Sequence, residues 1–519
     1  MLSVIISGGQ VLDGTGRAAV AADVGVAAGR IAAVGDLSGA ASRVTIPAAG
    51  RIVCPGFIDA HSHSDTYLLI EPAARSKILQ GITTEVVGNC GASAAPLSGT
   101  AHMPSDWRDK SYPGTWRTVA EYRELLARVQ PAVNVVLLVG HNTLRSGVVG
   151  HEARAVTRDE LGRMQALLEQ ALAEGARGLS TGLIYAPGRF AATEEIAALA
   201  AVAGRRGGIY SSHMRSEGPH LLAAIDEALA IGRQAGVRVQ ISHLKTSGRA
   251  NWQLCDEALA RLRQARAEGL VVAADRYPYT SACTDLDVIF PEWAAAGGHA
   301  AIMARLRDPD VRQRLRAEIL AARTEAYWDT VVIGSTHHPD SARFRGRPLR
   351  EAAQALGLAP VDAVLYLVER DELRTSAFFF GMSEENLWKI LAEPYVMLGT
   401  DASVRGPDGP LAADYPHPRA YGSFPRFLRA VLDGRSVALP EAIRKLTSLP
   451  AGQFGLDDRG VLAVGQVADL VVFDPARVRD KATYDQPHQL AEGIETVVVN
   501  GAVAVRDGRL TGVRAGAFL

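Results

Sequence analysis

Six side chains able to hold a divalent metal each close a short apolar run. They are His61 and His63 in GFIDAHSHSD, Cys90 in VVGNCG, His213 in IYSSHMR, His243 in VQISHLK and Asp401 in VMLGTDAS. Imidazole, thiolate and carboxylate donors in this mix suit zinc, which brings bound water to a pKa near neutrality. Hydrolysis is therefore the leading expectation. His61 and His63 stand two apart, so an extended chain points both to one face. Taken singly, Cys90, His213 and His243 carry little information, and Asp401 could equally cap a helix. Together the six end the first, second, fifth, sixth and eighth apolar runs, while the predicted helices carry almost no histidine. His102, His151, His299 and His488 fall instead in predicted loops or insertions, and His337 and His338 open a loop.

Something must bring those run ends together. Eight strand-like runs alternate with helical patterns: IVCPGFIDAH, GITTEVVGN, NVVLLVGH, ARGLSTGL, GGIYSSH, VRVQISH, LVVAADRYPY and YVMLGTD. Eight parallel βα units close a TIM-type (β/α)8 barrel, whose strands all end at one mouth. The helices are signalled too: Thr157 and Glu160 form a capping box ahead of Leu161, Met164, Leu168 and Leu172 on one face. Residues 1–54 and 455–519 read as short strands broken at glycines, and they are expected to pair into one discontinuous β-sandwich domain. The barrel then occupies 55–454, with a helical, Arg-rich insertion at about 285–350 and a long Pro/Gly-containing loop over 92–116. Insertions of this kind lie over a barrel mouth and often close on substrate.

Bulk properties narrow the partners. The 519 residues are 48% hydrophobic and 21% charged with a net charge of −1, so a large core fills easily. No basic run favours nucleic acid or a membrane surface. No apolar stretch approaches the ~20 residues needed to cross a bilayer. The N-terminus lacks a signal-peptide pattern, which makes the cytoplasm the expected compartment. Cys54, Cys255 and Cys283 read as small core residues, without metal-knuckle or disulfide spacing.

The chain resembles the amidohydrolase superfamily, and within it the N-acyl-D-amino acid deacylases (D-aminoacylases). The likeness runs from GGQVLDGTG to VVVNGAVAVRDG through PGFIDAHSHSD, GITTEVVGNCG, STGLIYAPG, SHMRSEG, ISHLK, DRYPY and PHPRAYGSFPR. GNCG discriminates most. Many superfamily members bridge two metals with a carboxylated lysine on the fourth strand, whereas that run here is GLSTGLIY and the deacylases use the cysteine matching Cys90. The resemblance implies one tightly held zinc on Cys90, His213 and His243, and a second, weak position lined by His61, His63 and Asp401. It implies Asp401 as general base, and a small-molecule N-acyl amino acid as substrate. Lys245, Tyr185, Tyr277 and Arg419 match positions that bind the substrate carboxylate, and Arg215 would orient a ligand. The D stereochemistry comes from the resemblance alone. The GTDAS end of the eighth run, followed by VRGPDGPLAA, departs from the family's GSDG and shorter loop. Ile289, Phe290 and Trp293, with no cation before Arg305, suggest an apolar side-chain pocket. A hydantoinase- or dihydroorotase-like cyclic amide hydrolase is the alternative, disfavoured by Cys90 and the missing lysine. A ligand-less scaffold is disfavoured by the presence of all six ligand types.

Overall fold

The computed structural model describes residues 1–99, 101, 107 and 110–519. Eight parallel strands form the barrel: β1 (Phe57–Asp59), β2 (Ile82–Val87), β3 (Asn134–Leu137 with Val139–Gly140), β4 (Gly178–Gly182), β5 (Ile209–His213), β6 (Arg238–Ile241), β7 (Val272–Arg276) and β8 (Val396–Leu398). Backbone bonds from Ala60 N to Leu398 O (3.2 Å) and Asp401 N to His61 O (2.8 Å) join β1 to β8 and close the ring. Inside, Ile58, Val86, Val136, Ile209, Ala273 and Met397 pack with Ala451, Phe454 and Leu456 from the last barrel helix and the residues after it. The outer helices form as their sequence dictates. Helix Arg158–Ala173 starts at the Thr157–Glu160 capping box and buries Met164 and Leu168, a cap of the kind that stabilises a helix by about 1 kcal/mol.

The two chain ends supply one nine-stranded sheet. Its first strand, Leu2–Val11, pairs with Val20–Ala27, Ser42–Pro47 and Ile52–Pro55, and Ile52–Pro55 pairs in turn with Leu470–Phe473. Val4, Val24, Val26, Leu470 and Val498 from both ends share one core, which neither end could build alone. The last residues leave this sheet: Phe518 bridges Val135 beside β3, and Leu519 packs with the barrel interior.

The insertion is longer than the sequence pattern suggests. It starts at strand Ser281–Asp285, returns at Ser376–Phe380, and has Val331–Ile333 as the third strand of an antiparallel sheet. Its helices enclose a core of their own. Cys54 and Cys255 are buried as expected, whereas Cys283 is only partly buried, on the insertion's first strand. His102 and part of the 92–116 loop lie outside the described residues. No single helix among the described residues is long and apolar enough to cross a membrane.

Candidate metal centre

All six candidate ligands meet at the barrel mouth. Cys90 Sγ lies 3.3 Å from His61 Nε2 and 3.4 Å from His243 Nε2, and His243 Nε2 lies 3.0 Å from His213 Nδ1. Asp401 Oδ1 is 3.0 Å from His63 Nε2 and 3.5 Å from His61 Nε2. Zinc bonds of ~2.0–2.3 Å put tetrahedral donors roughly 3–4 Å apart, so these atoms fit one or two shared ions. The imidazoles of His61, His213 and His243 are buried, which removes the water that would otherwise compete for the donors.

Backbone geometry shows how the ligands are aimed. Cys90, His243 and Asp401 follow their strands in left-handed conformations, with φ of 52°, 36° and 50°. Such a residue without glycine's freedom costs of order 1–3 kcal/mol, and it persists where the surroundings over-determine it. The backbones are correspondingly close. A Cβ at Gly182 would sit 2.1 Å from Cys90 O, and one at Gly399 would sit 2.5 Å from His61 Cβ. On β4, where a bridging lysine would stand in other members of the superfamily, Ser180 bonds Gly88 O and Gly91 N, tying it to the Cys90 turn.

Electrostatics favour the anionic forms of Cys90 and Asp401 and the protonated form of His63. Burial opposes the Cys90 thiolate, but the surrounding imidazoles of His61, His213 and His243 outweigh it and hold the thiol well below its ordinary range. Burial likewise opposes the Asp401 carboxylate, and Arg419, followed by His243, His63 and His61, holds it well below the usual carboxylate range. His63 is raised to about 9 against its burial by Asp401 and Cys90.

The expected substrate residues divide. Arg419 Nη1 lies 2.8 Å from Asp401 Oδ2, so in this state the guanidinium holds the candidate base. Its Cζ is 4.6 Å from the Tyr277 ring, over which Lys245 Nζ also sits at 5.9 Å. Tyr185 stands edge-on to His213 at 5.0 Å and bonds Thr284 of the insertion through its hydroxyl (3.0 Å). These four are gathered around the ligands. Trp293 is not brought there: it packs on the insertion core, donates to Glu318 Oε2 (2.7 Å) and carries Arg314 over its ring (4.1 Å). Ile289 and Phe290 fill the same core. Apolar residues in that stretch are needed to hold the insertion together, so the sequence pattern could not tell packing from lining. Arg215 turns to Glu227 (2.9 Å) and the carbonyls of Arg189 and Ala191.

Two carboxylates missed in the sequence reading contact the candidate histidines instead. Asp275, at the end of β7, places Oδ1 3.1 Å from His61 Nδ1 and accepts the His243 amide at 2.8 Å, while Gln240 steadies Oδ2 at 2.8 Å. Glu217 Oε1 lies 2.7 Å from His243 Nδ1 and also meets Lys245 Nζ. The available signal was position: Asp275 is the penultimate residue of a barrel strand, two residues before Tyr277, and Glu217 follows His213 by four. Carboxylates behind ligating histidines fix ring orientation and basicity. Asp275→Asn is expected to weaken metal affinity by ~10–100-fold, read by zinc titration of chelator-treated protein; a loss under about twofold would reduce Asp275 to packing.

The amidohydrolase family model matches residues 44–505. The chain is 38% identical to D-aminoacylase of Alcaligenes xylosoxydans xylosoxydans, over 99% of this chain and 97% of that one. It is equally 38% identical to N-acyl-D-glutamate deacylase of the same organism, over 96% and 93%. Among solved structures, it is similar to N-acyl-D-glutamate deacylase from Bordetella bronchiseptica complexed with zinc and a phosphonate mimic of the tetrahedral intermediate. That match has a TM-score of 0.84 and 36% identity, covering 100% of this chain and 99% of that one. With the barrel, the β-domain and the metal-ready mouth already in view, these matches show that the chain belongs to the amidohydrolase family.

Proposed function

We propose that this protein is a zinc-dependent deacylase of N-acyl-D-amino acids, releasing a carboxylate and the free D-amino acid. The convergence of Cys90 Sγ and His243 Nε2 with Asp401, and of His213 Nδ1 on that same His243 nitrogen, supports the reading. Cys90, His213 and His243 would hold the tight zinc, with His61, His63 and Asp401 lining a second, weaker position. Zinc, when bound, supplies an activated water and polarises the acyl carbonyl. Asp401 takes the proton from the attacking water as the new C–O bond forms, then hands it to the departing nitrogen as the C–N bond breaks. Arg419 keeps Asp401 ionised and oriented through Oδ2, leaving Oδ1 on the side of the histidines. Lys245 and Tyr277, beside His243 and Arg419, are placed to receive the substrate carboxylate. The cyclic-amide alternative loses support because β4 carries serine and threonine in place of a bridging lysine, and both are bonded within the barrel.

For the amino-acid side chain we keep the apolar preference on a new basis. The insertion strand that reaches Tyr185 and Arg419 carries Ala282, Cys283 and Thr284, and Asp285, Asp287 and Glu292 follow. Arg189 faces Asp287 and Glu292 and Arg419 is held by Asp401, so a second substrate carboxylate there would meet more acid than free base. N-acetyl-D-leucine should therefore exceed N-acetyl-D-glutamate in kcat/KM by at least ~10-fold, the value of ~1.4 kcal/mol of discrimination. Steady-state kinetics on a panel of N-acetyl D- and L-amino acids checks this: faster glutamate turnover sinks the preference, and faster turnover of L-isomers sinks the assignment of configuration.

A further inference from the structure

Directly beside the ligands lies a charged cluster that the proposed chemistry leaves unused. Lys77, in the short helix Arg75–Ile78, is completely buried. Its ammonium lies 2.8 Å from Asp59 Oδ2, 2.9 Å from Glu85 Oε1, 2.7 Å from Thr400 Oγ1, 2.8 Å from Ala402 O and 3.2 Å from Ser62 Oγ. The partners are bonded to each other as well. Asp59 accepts both the Thr400 amide (2.8 Å) and its hydroxyl (2.6 Å), while Glu85 Oε1 accepts the hydroxyls of Ser62 (2.6 Å) and Ser64 (2.7 Å).

The positions these bonds fix are those that flank the chemistry. Thr400 and Ala402 stand on either side of Asp401, and Ser62 stands between His61 and His63. Asp401 itself is left-handed at φ 50°, a conformation that costs a non-glycine residue energy its surroundings must offset. Three buried charges are also a costly way to fill a barrel, since apolar residues of similar volume serve stability at least as well. Their arrangement is explained if their work is placement.

We infer that Lys77 and Thr400 are positioning residues for Asp401. The ammonium clasps the residues before and after it, and so holds the carboxylate against His63 and Arg419. The inference rests on the reading of Asp401 as the general base, and the experiment separates the two. Lys77→Met would strand two buried carboxylates and endanger folding, so Thr400→Val is the primary variant. It removes the clasped hydroxyl, keeps the side-chain shape and leaves Lys77 with Asp59 and Glu85. Thr400→Val is expected to lower kcat by ~10–100-fold with KM within about threefold, the signature of a misplaced catalytic group rather than lost binding. Zinc content by metal analysis should match the parent, and the thermal midpoint should fall by only a few degrees. Asp401→Asn is measured in parallel. If Asp401→Asn abolishes turnover while Thr400→Val keeps parental kcat, the clasp is refuted and the base stands. If Asp401→Asn stays active, the reading of the base fails. If Thr400→Val loses zinc in proportion to activity, the residue supports the fold or metal site as a whole, and the positioning role is overturned.

Discussion

Cys90→Ala is expected to lose the tightly bound zinc and, with it, essentially all amide hydrolysis. The sulfur sits between two of the imidazoles of the mouth, 3.3 Å from His61 and 3.4 Å from His243, and its replacement by a methyl group removes the thiolate donor from between them. The remaining pair, His213 and His243, keeps its nitrogens 3.0 Å apart, and the carboxylate grouped with them, Glu217, is already paired with Lys245. Ligating groups bind metal in their deprotonated forms, and the thiolate is the one negative charge in the proposed tight set. Losing a Lewis acid that contributes several kcal/mol to the transition state corresponds to a fall in kcat/KM of ~10³-fold or more, at about 1.4 kcal/mol per decade. Chelator treatment of the parent should reproduce the loss, and zinc should restore the parent but not the variant. Metal analysis with steady-state kinetics checks both. A Cys90→Ala protein retaining full zinc and near-parental turnover would move the tight site to His61, His63 and Asp401.

The six candidate ligands could be gathered from the sequence because a barrel converts order along the chain into convergence in space. Once eight apolar runs are counted, a histidine, cysteine or aspartate at the end of each needs no further information to reach the mouth. The β-domain was legible for a related reason: alternating strands at both ends have nowhere to bury their apolar faces except against each other. What stayed hidden depends on contacts across the sequence. Lys77 meets Thr400 over more than three hundred residues, and nothing in RSKIL distinguishes it from a surface lysine. Asp275 was visible as a residue, but its task depends on β7 lying beside β6 and on which face it shares with Gln240. The insertion was cut short because Ser376–Phe380 pairs backwards onto Ser281–Asp285, a return that local periodicity cannot show. Trp293 and Phe290 illustrate the remaining ambiguity, since an apolar side chain near a mouth can serve the pocket or the insertion's own core. The left-handed turns at Cys90, His243 and Asp401 were equally hidden, because none of the three is the glycine that announces one most clearly.

Replacing Asp401 by asparagine should separate metal binding from proton transfer. Asparagine keeps the size of the side chain and an oxygen for Arg419, whose Nη1 now lies 2.8 Å from Oδ2. The carboxylate's second oxygen, 3.0 Å from His63 Nε2, becomes an amide nitrogen that cannot accept a proton at any accessible pH. Because Cys90, His213 and His243 remain, zinc content at the tight site should not change, while the weaker position should lose affinity. A positioned acid–base group is worth ~10²–10⁴-fold, and Asp401 serves both halves of the transfer, so kcat is expected to fall toward the upper end of that range with little change in KM. The same substitution leaves Arg419 buried without its counter-charge, and a modest fall in thermal midpoint should accompany the kinetic loss. The discriminating comparison is with Glu217→Gln, since Glu217 is the other carboxylate beside the histidines, 2.7 Å from His243 Nδ1. If Glu217→Gln stops turnover at full zinc occupancy while Asp401→Asn does not, proton transfer runs through Glu217. The opposite result is the one this geometry demands, because Glu217 lies behind the His243 ring, on its Nδ1 side, whereas Asp401 lies with Cys90 among the Nε2 atoms of His61, His63 and His243.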